Sequence, residues 1–155
     1  MSKTAFMDVI VNADDLGISR KVNDATFQLM EDGLITSATI MANGPEVESA
    51  CQRTRDFPQC SFGVHLNVTE FAPLTNSENL GPLLDNENNF VGEKVRSVKI
   101  DSDLANGIFA EYCAQIEKIK ALGVTPSHLD SHNYVHTVAR IFPILKRVQK
   151  RYGLR

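Results

Sequence analysis

Apolar positions recur along the chain in two rhythms, one of strands and one of helices. Asp8-Val-Ile-Val-Asn-Ala13 is a β-branched run that turns polar at Asp14-Asp15 ahead of Gly17, which predicts a buried strand with charge at its C-terminal end. Beyond Ser19, a residue suited to capping, Val22, Ala25, Leu29 and Met30 fall on one helical face and Gly33 supplies a stop. Ser37 to Met41 predicts a second strand. Asn43-Gly44-Pro45 reads as a turn with proline at a first helical position, and Val47, Ala50 and Cys51 give the next helix its apolar face. Ser61 to Val68 predicts a third strand.

Between Phe71 and about Asp101 the periodicity disappears, and Asn76, Asn79, Asn86, Asn88 and Asn89 crowd a stretch containing Gly81, Pro82 and Gly92. A long loop of lid or binding type is expected there. Ser102 is then placed to cap a helix from Asp103 to Leu122, where Leu104, Ile108, Tyr112, Ile116 and Ile119 form a stripe that Gly123 ends. A polar cluster opening at Pro126 holds the fourth strand. A last helix over Ala139 to Arg151 turns Ile141, Ile144, Leu145 and Val148 inward, keeps Pro143 in its first turn and exposes Lys146, Arg147, Lys150 and Arg151. Strands alternating with helices in this order predict an α/β fold with a parallel sheet, and residues 1–155 read as a single domain.

Composition narrows the partners. Sixteen Lys plus Arg against nineteen Asp plus Glu give a net charge of -3, which offers no broad field for nucleic acid or anionic lipid. The apolar runs fall far short of the ~20 residues needed to span a bilayer, and Met1 to Phe6 lacks a signal-type apolar core, so no membrane partner and a cytoplasmic location are expected. Cys51, Cys60 and Cys113 are an odd set without a CxxC pair, suited to a reducing compartment and to roles as small core residues.

The chemistry concentrates in few places. His65 closes the Phe62-Gly-Val-His65 run, while His128, His132 and His136 share the segment Ser127-His-Leu-Asp-Ser-His-Asn-Tyr-Val-His136. Spacing by four puts the last three on one helical face, and the same even spacing puts them on one face of a strand together with Asp130. Three strand ends, at Asp14-Asp15, at His65 and at Asp130 to His132, meet on one rim of a parallel barrel or sheet. One carboxylate with two imidazoles forms an open metal site, and the second carboxylate is free to act as a base.

Val11-Asn-Ala-Asp-Asp-Leu-Gly17, Gly63-Val-His-Leu-Asn-Val-Thr69 and Pro126-Ser-His-Leu-Asp-Ser-His-Asn-Tyr-Val-His136 together resemble the YdjC-like carbohydrate deacetylase family, which includes chito-oligosaccharide deacetylases. The resemblance implies a parallel (β/α) barrel-like deacetylase fold. It also implies that the family's C-terminal part is missing from these 155 residues, so a partial or open barrel is expected. Matched by motif, Asp15, His65 and His132 are the expected ligands of one divalent ion, magnesium or zinc, and Asp14 the general base. His136 is a candidate for the proton donor, Asp130 for orienting an imidazole, and Asn12, Asn67 and His128 for substrate contacts.

Hydrolysis of N-acetyl groups on small amino-sugar carbohydrates is the implied reaction. Two other readings stay open: a sugar-binding or regulatory module that keeps the metal without turnover, and a metal-dependent phosphoesterase. The latter lacks a phosphate-cradling glycine loop or basic residues near the motifs. A barrel with four strand candidates leaves edges uncovered, so association into a homo-oligomer is expected.

Overall fold

Residues 9–76 and 78–154 are described by a computed structural model. Its four strands, β1 (Asn12–Leu16), β2 (Ser37–Ile40), β3 (Ser61–Leu66) and β4 (Leu129–Ser131), are all parallel and lie in the sheet in chain order. Sequential order is that of a barrel segment, because a doubly wound sheet reverses direction part-way. The sheet is open: among the described residues β1 and β4 each pair with one neighbour. The parallel α/β class and the partial barrel predicted from sequence are therefore both present.

The helices are α1 (Arg20–Glu31), α2 (Val47–Arg53), α3 (Lys94–Ser97), α4 (Ser102–Ala121) and α5 (Phe142–Tyr152). Ser19 caps α1 by accepting from the Val22 amide. Asp101, not Ser102, caps α4, its Oδ1 accepting from the Leu104 amide at 3.0 Å. A carboxylate there also meets the helix dipole favourably. Pro143 sits in the first turn of α5, as expected. The predicted stripe of α4 is fully buried, each of its five large side chains contributing roughly 1.5–3 kcal/mol.

Some boundaries differ from the sequence reading. The first strand begins at Asn12 and runs through the acid pair; Asp8 lies outside the described residues, and Val9, Ile10 and Val11 are exposed. The buried face of α1 carries Asn23, Thr26, Phe27 and Met30 rather than Val22, Ala25 and Leu29, because Asn23 is drawn inward to accept from the Gly17 amide and to donate to the Glu46 carbonyl. The segment Phe71–Asp101 is no open loop. It holds a 3-10 turn over Glu78–Leu83, a Leu84–Phe90 bridge and α3, with Leu80, Leu83, Phe90 and Val95 packed into the core. Isolated apolar anchors in an asparagine-rich stretch carry no period, which hides them from pattern reading. Of the cysteines only Cys51 is buried. Among the described residues no helix is long and apolar enough to cross a membrane.

Candidate metal centre

Alternation along a strand sends successive side chains to opposite faces. Asn12 and Asp14 of β1, Ser37 and Thr39 of β2, and His65 of β3 face one side, where Ser37 Oγ donates to Asn12 Oδ1 at 2.7 Å and Thr39 Oγ1 lies 3.2 Å from His65 Nδ1. Ala13, Ala38, Ile40, Val64 and Leu66 face the other, against the helices. Strict alternation would put Asp15 among these apolar residues. It does not go there, because the β1–β2 register slips between Ala13 and Leu16 and Asp15 takes a left-handed φ of 65°. The bulge brings two consecutive acids to the same end of the sheet. Such a conformation in a residue other than glycine is retained where surrounding contacts enforce it.

Three atoms converge there. Asp15 Oδ1 lies 3.1 Å from His65 Nε2 and 2.8 Å from His132 Nδ1, and the two nitrogens are 3.2 Å apart. By distance alone Asp15 Oδ1 is an ion-pair partner of both rings, yet it is buried with neither ring nitrogen aligned to donate to it. An orphaned carboxylate oxygen facing two imidazole nitrogens fits a shared cation. Ligands on one face of an ion at about 2.1 Å are separated by about 3.0 Å in an octahedron and about 3.4 Å in a tetrahedron. The observed edges match the first and fall slightly short of the second. A second grouping of Asp14, His65 and Asp130 also lies within 4.8 Å, but there Asp130 Oδ1 is already engaged by His65 Nδ1 at 2.5 Å.

The surroundings hold the His65 ring. Burial disfavours charge on His65, but its hydrogen bond to Asp130 and the nearby carboxylates of Asp130 and Asp15 outweigh it and raise its pKa to about 9. Asp15 is held below the usual carboxylate value by the close approach of the His65 ring, which with the charge of His132 overcomes partial burial. Thr39 Oγ1 donates to Asp130 Oδ2 at 2.8 Å, so the Asp130 carboxylate that grips His65 is itself held. On the far side of the centre, Glu70 Oε1 lies 3.2 Å from His132 Nε2.

The remaining predicted residues divide. Asp14 is exposed beside the centre and accepts from Asn12 Nδ2 at 2.9 Å. Asn12, Asp14, His128 and Asp130 line one cavity of about 530 Å³ together with Ile10 and Ser37. His128 lies across β3 at Gly63, where an added Cβ would come within 2.7 Å of the imidazole ring, so the glycine makes room for it. Asn67 is not placed to meet a sugar. It is buried, its Oδ1 accepts from the Thr69 and Glu70 amides, and its Nδ2 donates to the Glu70 carbonyl at 2.7 Å. The residue builds the loop after β3 from within.

His136 likewise stands apart: its Nδ1 lies 2.7 Å from Ser131 Oγ, and the structure does not bring it to Asp15, His65 or His132. β4 ends at Ser131, and a turn with left-handed Asn133 and Tyr134 breaks both periodicities that would have aligned it with His132. Sequence reading missed Thr39 and Glu70. Thr39 sits two residues from Ser37 on the polar face of β2, a signal that alternation could have supplied; Glu70 had none, since only the loop's path brings it to His132.

A profile of the YdjC-like protein family matches residues 8–155. The chain belongs to the YdjC-like family. A carbohydrate deacetylase from Geobacillus stearothermophilus is 39% identical over 94% of this chain and 57% of its own length. One from Halalkalibacterium halodurans is 37% identical over 96% and 62%. A crystal structure of a candidate cellobiose-phosphate cleavage protein from Enterococcus faecalis superposes with a TM-score of 0.84 at 27% identity, covering 94% of this chain and 56% of that one. This YdjC-like chain thus spans a little over half the length of these relatives.

Proposed function

We propose that this YdjC-like chain is a metal-dependent hydrolase that removes N-acetyl groups from amino-sugar carbohydrates such as chito-oligosaccharides. The observation that carries this reading is the convergence of Asp15 Oδ1, His65 Nε2 and His132 Nδ1, with Asp14 beside them at the C-terminal ends of the strands. The relatives described as carbohydrate deacetylases support it. Asp15, His65 and His132 would hold one divalent ion, magnesium or zinc, which when bound supplies a Lewis acid for the acetyl oxygen and eases deprotonation of water.

The chain's own residues do the rest. Asp130 and Thr39 hold His65 at Nδ1, which leaves Nε2 to point at the centre. Glu70 faces His132 at Nε2 and leaves Nδ1 to do the same. A carboxylate hydrogen-bonded to the far ring nitrogen, as Asp130 is to His65, fixes the tautomer and orientation of a ligating imidazole, whereas Glu70 stands beside His132 at ion-pair distance. Asp14, oriented by Asn12, takes a proton from the attacking water. As the C–N bond breaks the amine nitrogen requires a proton, and with His136 turned toward Ser131 the protonated Asp14 is the group placed to return it.

The test is acetate release from N-acetylated chito-oligosaccharides, run beside phosphate release from sugar phosphates. The second assay addresses the metal-dependent phosphoesterase reading. Acetate release that a chelator abolishes and added metal restores is the expected result. Phosphate release without acetate, or sugar binding without either, transfers the chain to one of the two other readings.

A further inference from the structure

We propose that the groove on the Glu70 side of the centre is a pyranose-binding subsite in which Tyr134 stacks against the apolar face of a sugar ring. The proposal deepens the deacetylase reading and rests on it for the reaction performed next door. The groove has a volume of about 570 Å³, within the range of small-ligand sites, and Thr69, Glu70, Glu93, Arg96, Asn133 and Tyr134 line it. Its walls come from the segments following β3 and β4, on the rim where parallel barrels place their ligands. Glu70 belongs to the groove and also approaches His132 Nε2 at 3.2 Å, so groove and centre share a wall.

Tyr134 is 70% exposed and lines the groove, where a bound ring would cover it. Its exposure is enforced. Asn133 and Tyr134 both have φ of 53°, and two successive left-handed residues, one of them aromatic, are unfavourable without compensation. Arg96 Nη2 donates to the Asn133 carbonyl at 2.6 Å, Asn133 Nδ2 donates to Thr69 Oγ1 at 3.2 Å, and Thr137 Oγ1 donates to the Tyr134 carbonyl at 2.7 Å. These bonds hold a strained turn whose effect is to stand the phenol ring at the groove mouth.

The floor is equally fixed, because buried Asn67 pins Thr69 and Glu70 from beneath. An aromatic face ringed by carboxylates, a guanidinium and an amide is complementary to a pyranose, whose axial C–H groups stack while its hydroxyls accept and donate around the edge. Carboxylates on the same wall as Arg96 favour neutral hydroxyls over a phosphate.

The chain has no tryptophan, so Tyr134→Trp installs a single reporter in the groove. N-acetylated chitotriose is titrated into the full chain after chelator treatment, which separates binding from turnover, using calorimetry for wild type and Tyr134→Ala and emission for Tyr134→Trp. The expected results are a Kd weakened about tenfold in Tyr134→Ala and a saturable emission shift in Tyr134→Trp. An unchanged Kd in Tyr134→Ala, no emission response, or no binding by wild type overturns the subsite. Metal-loaded samples of the same proteins are assayed for acetate. Release whose KM ignores Tyr134→Ala overturns the subsite and leaves the deacetylase reading standing; Tyr134-dependent binding with no acetate released does the reverse.

Discussion

The two faces of the four-stranded sheet obey different rules. One face is apolar and closed: Leu16, Ala38, Ile40, Val64 and Leu66 are buried against the helices, and its one large polar feature, Glu111 with Gln115 on α4, is satisfied by the chain segments it braces. The other face is polar and open, bearing Asn12, Asp14, Ser37, Thr39, His65, His128, Asp130 and His132. Strands of parallel sheets are ordinarily apolar on both sides because both are covered. A parallel sheet with one face given to polar and ionisable groups separates the work of stability from the work of chemistry. Asp15 is the one strand residue that crosses this division, and it does so by a bulge.

The sharpest way to break the comparison is to remove a centre residue from the polar face. His132→Ala and Asp15→Asn should each lose the divalent ion, read as metal stoichiometry after dialysis, and turnover should fall to background while the far-UV circular dichroism is kept. Asp14→Asn should keep the ion and lose roughly 10²–10⁴ in kcat, the usual cost of removing a general base or acid. If Asp14→Asn empties the centre instead, the second grouping of Asp14, His65 and Asp130 is the ligand set, and the bulge at Asp15 serves another purpose.

How much of this was legible beforehand follows from the same division. Alternation is a period-2 signal, so the strands, the parallel class and the gathering of Asp14, His65 and Asp130 could be read from residue spacing. The family motifs pointed to Asp15 and His132, which spacing alone would have separated or left ambiguous. Sequence gave no warning of what depends on chain path: the register slip that rescues Asp15, the turn that diverts His136, and the loop that carries Glu70 to His132. Buried polar residues were misjudged for a related reason. Asn23, Asn67, Glu111 and Gln115 look like surface, and only their partners show that they fasten loops from inside.

A change on the closed face should act on stability and spare the chemistry. Glu111 accepts from the Leu74 and Thr75 amides, from Thr75 Oγ1 and from Gln115 Nε2. Glu111→Ala leaves one buried and three part-buried donors without their acceptor, for a loss of about 2–4 kcal/mol, the buried one costing roughly 1–3 kcal/mol. Urea unfolding should show a lower midpoint, while the folded fraction binds metal as wild type does. Loss of metal affinity without loss of stability would mean that the two faces are coupled.

The polar face should reveal itself by titration. His65 has a pKa of about 9 in the metal-free protein against 6.5 for the free side chain. A raised folded value means that the contribution is complete below pH 6.5 and fades as pH climbs through 9. At about 1.4 kcal/mol per unit the ceiling is about 3 kcal/mol. Metal-free protein should therefore lose stability between pH 6.5 and 9. Added metal should expel the proton, a release near one equivalent at pH 7.5 that calorimetry in buffers of different ionisation enthalpy detects. Binding without proton release would place the ion away from His65.

The smallest effect is expected at His136, and it is the most economical test of where the polar face ends. Alternation along β4 sends Asp130 to the open side and Ser131 to the opposite one, where Ser131 Oγ meets both the ring and the amide of His136. His136→Ala thus removes one side-chain hydrogen bond and an edge contact with the Tyr134 ring at a partly buried position, and nothing from the centre. A change within about 0.5 kcal/mol in the activation barrier corresponds to about twofold in kcat. His128→Ala, two residues before Asp130 and on the same side, gives the matched control for a histidine that does line the open face. Should His136→Ala fall as far as Asp14→Asn, the ring must reach substrate in the working protein, and the left-handed turn at Asn133 and Tyr134 would then have to be a hinge that swings it across rather than a fixed platform.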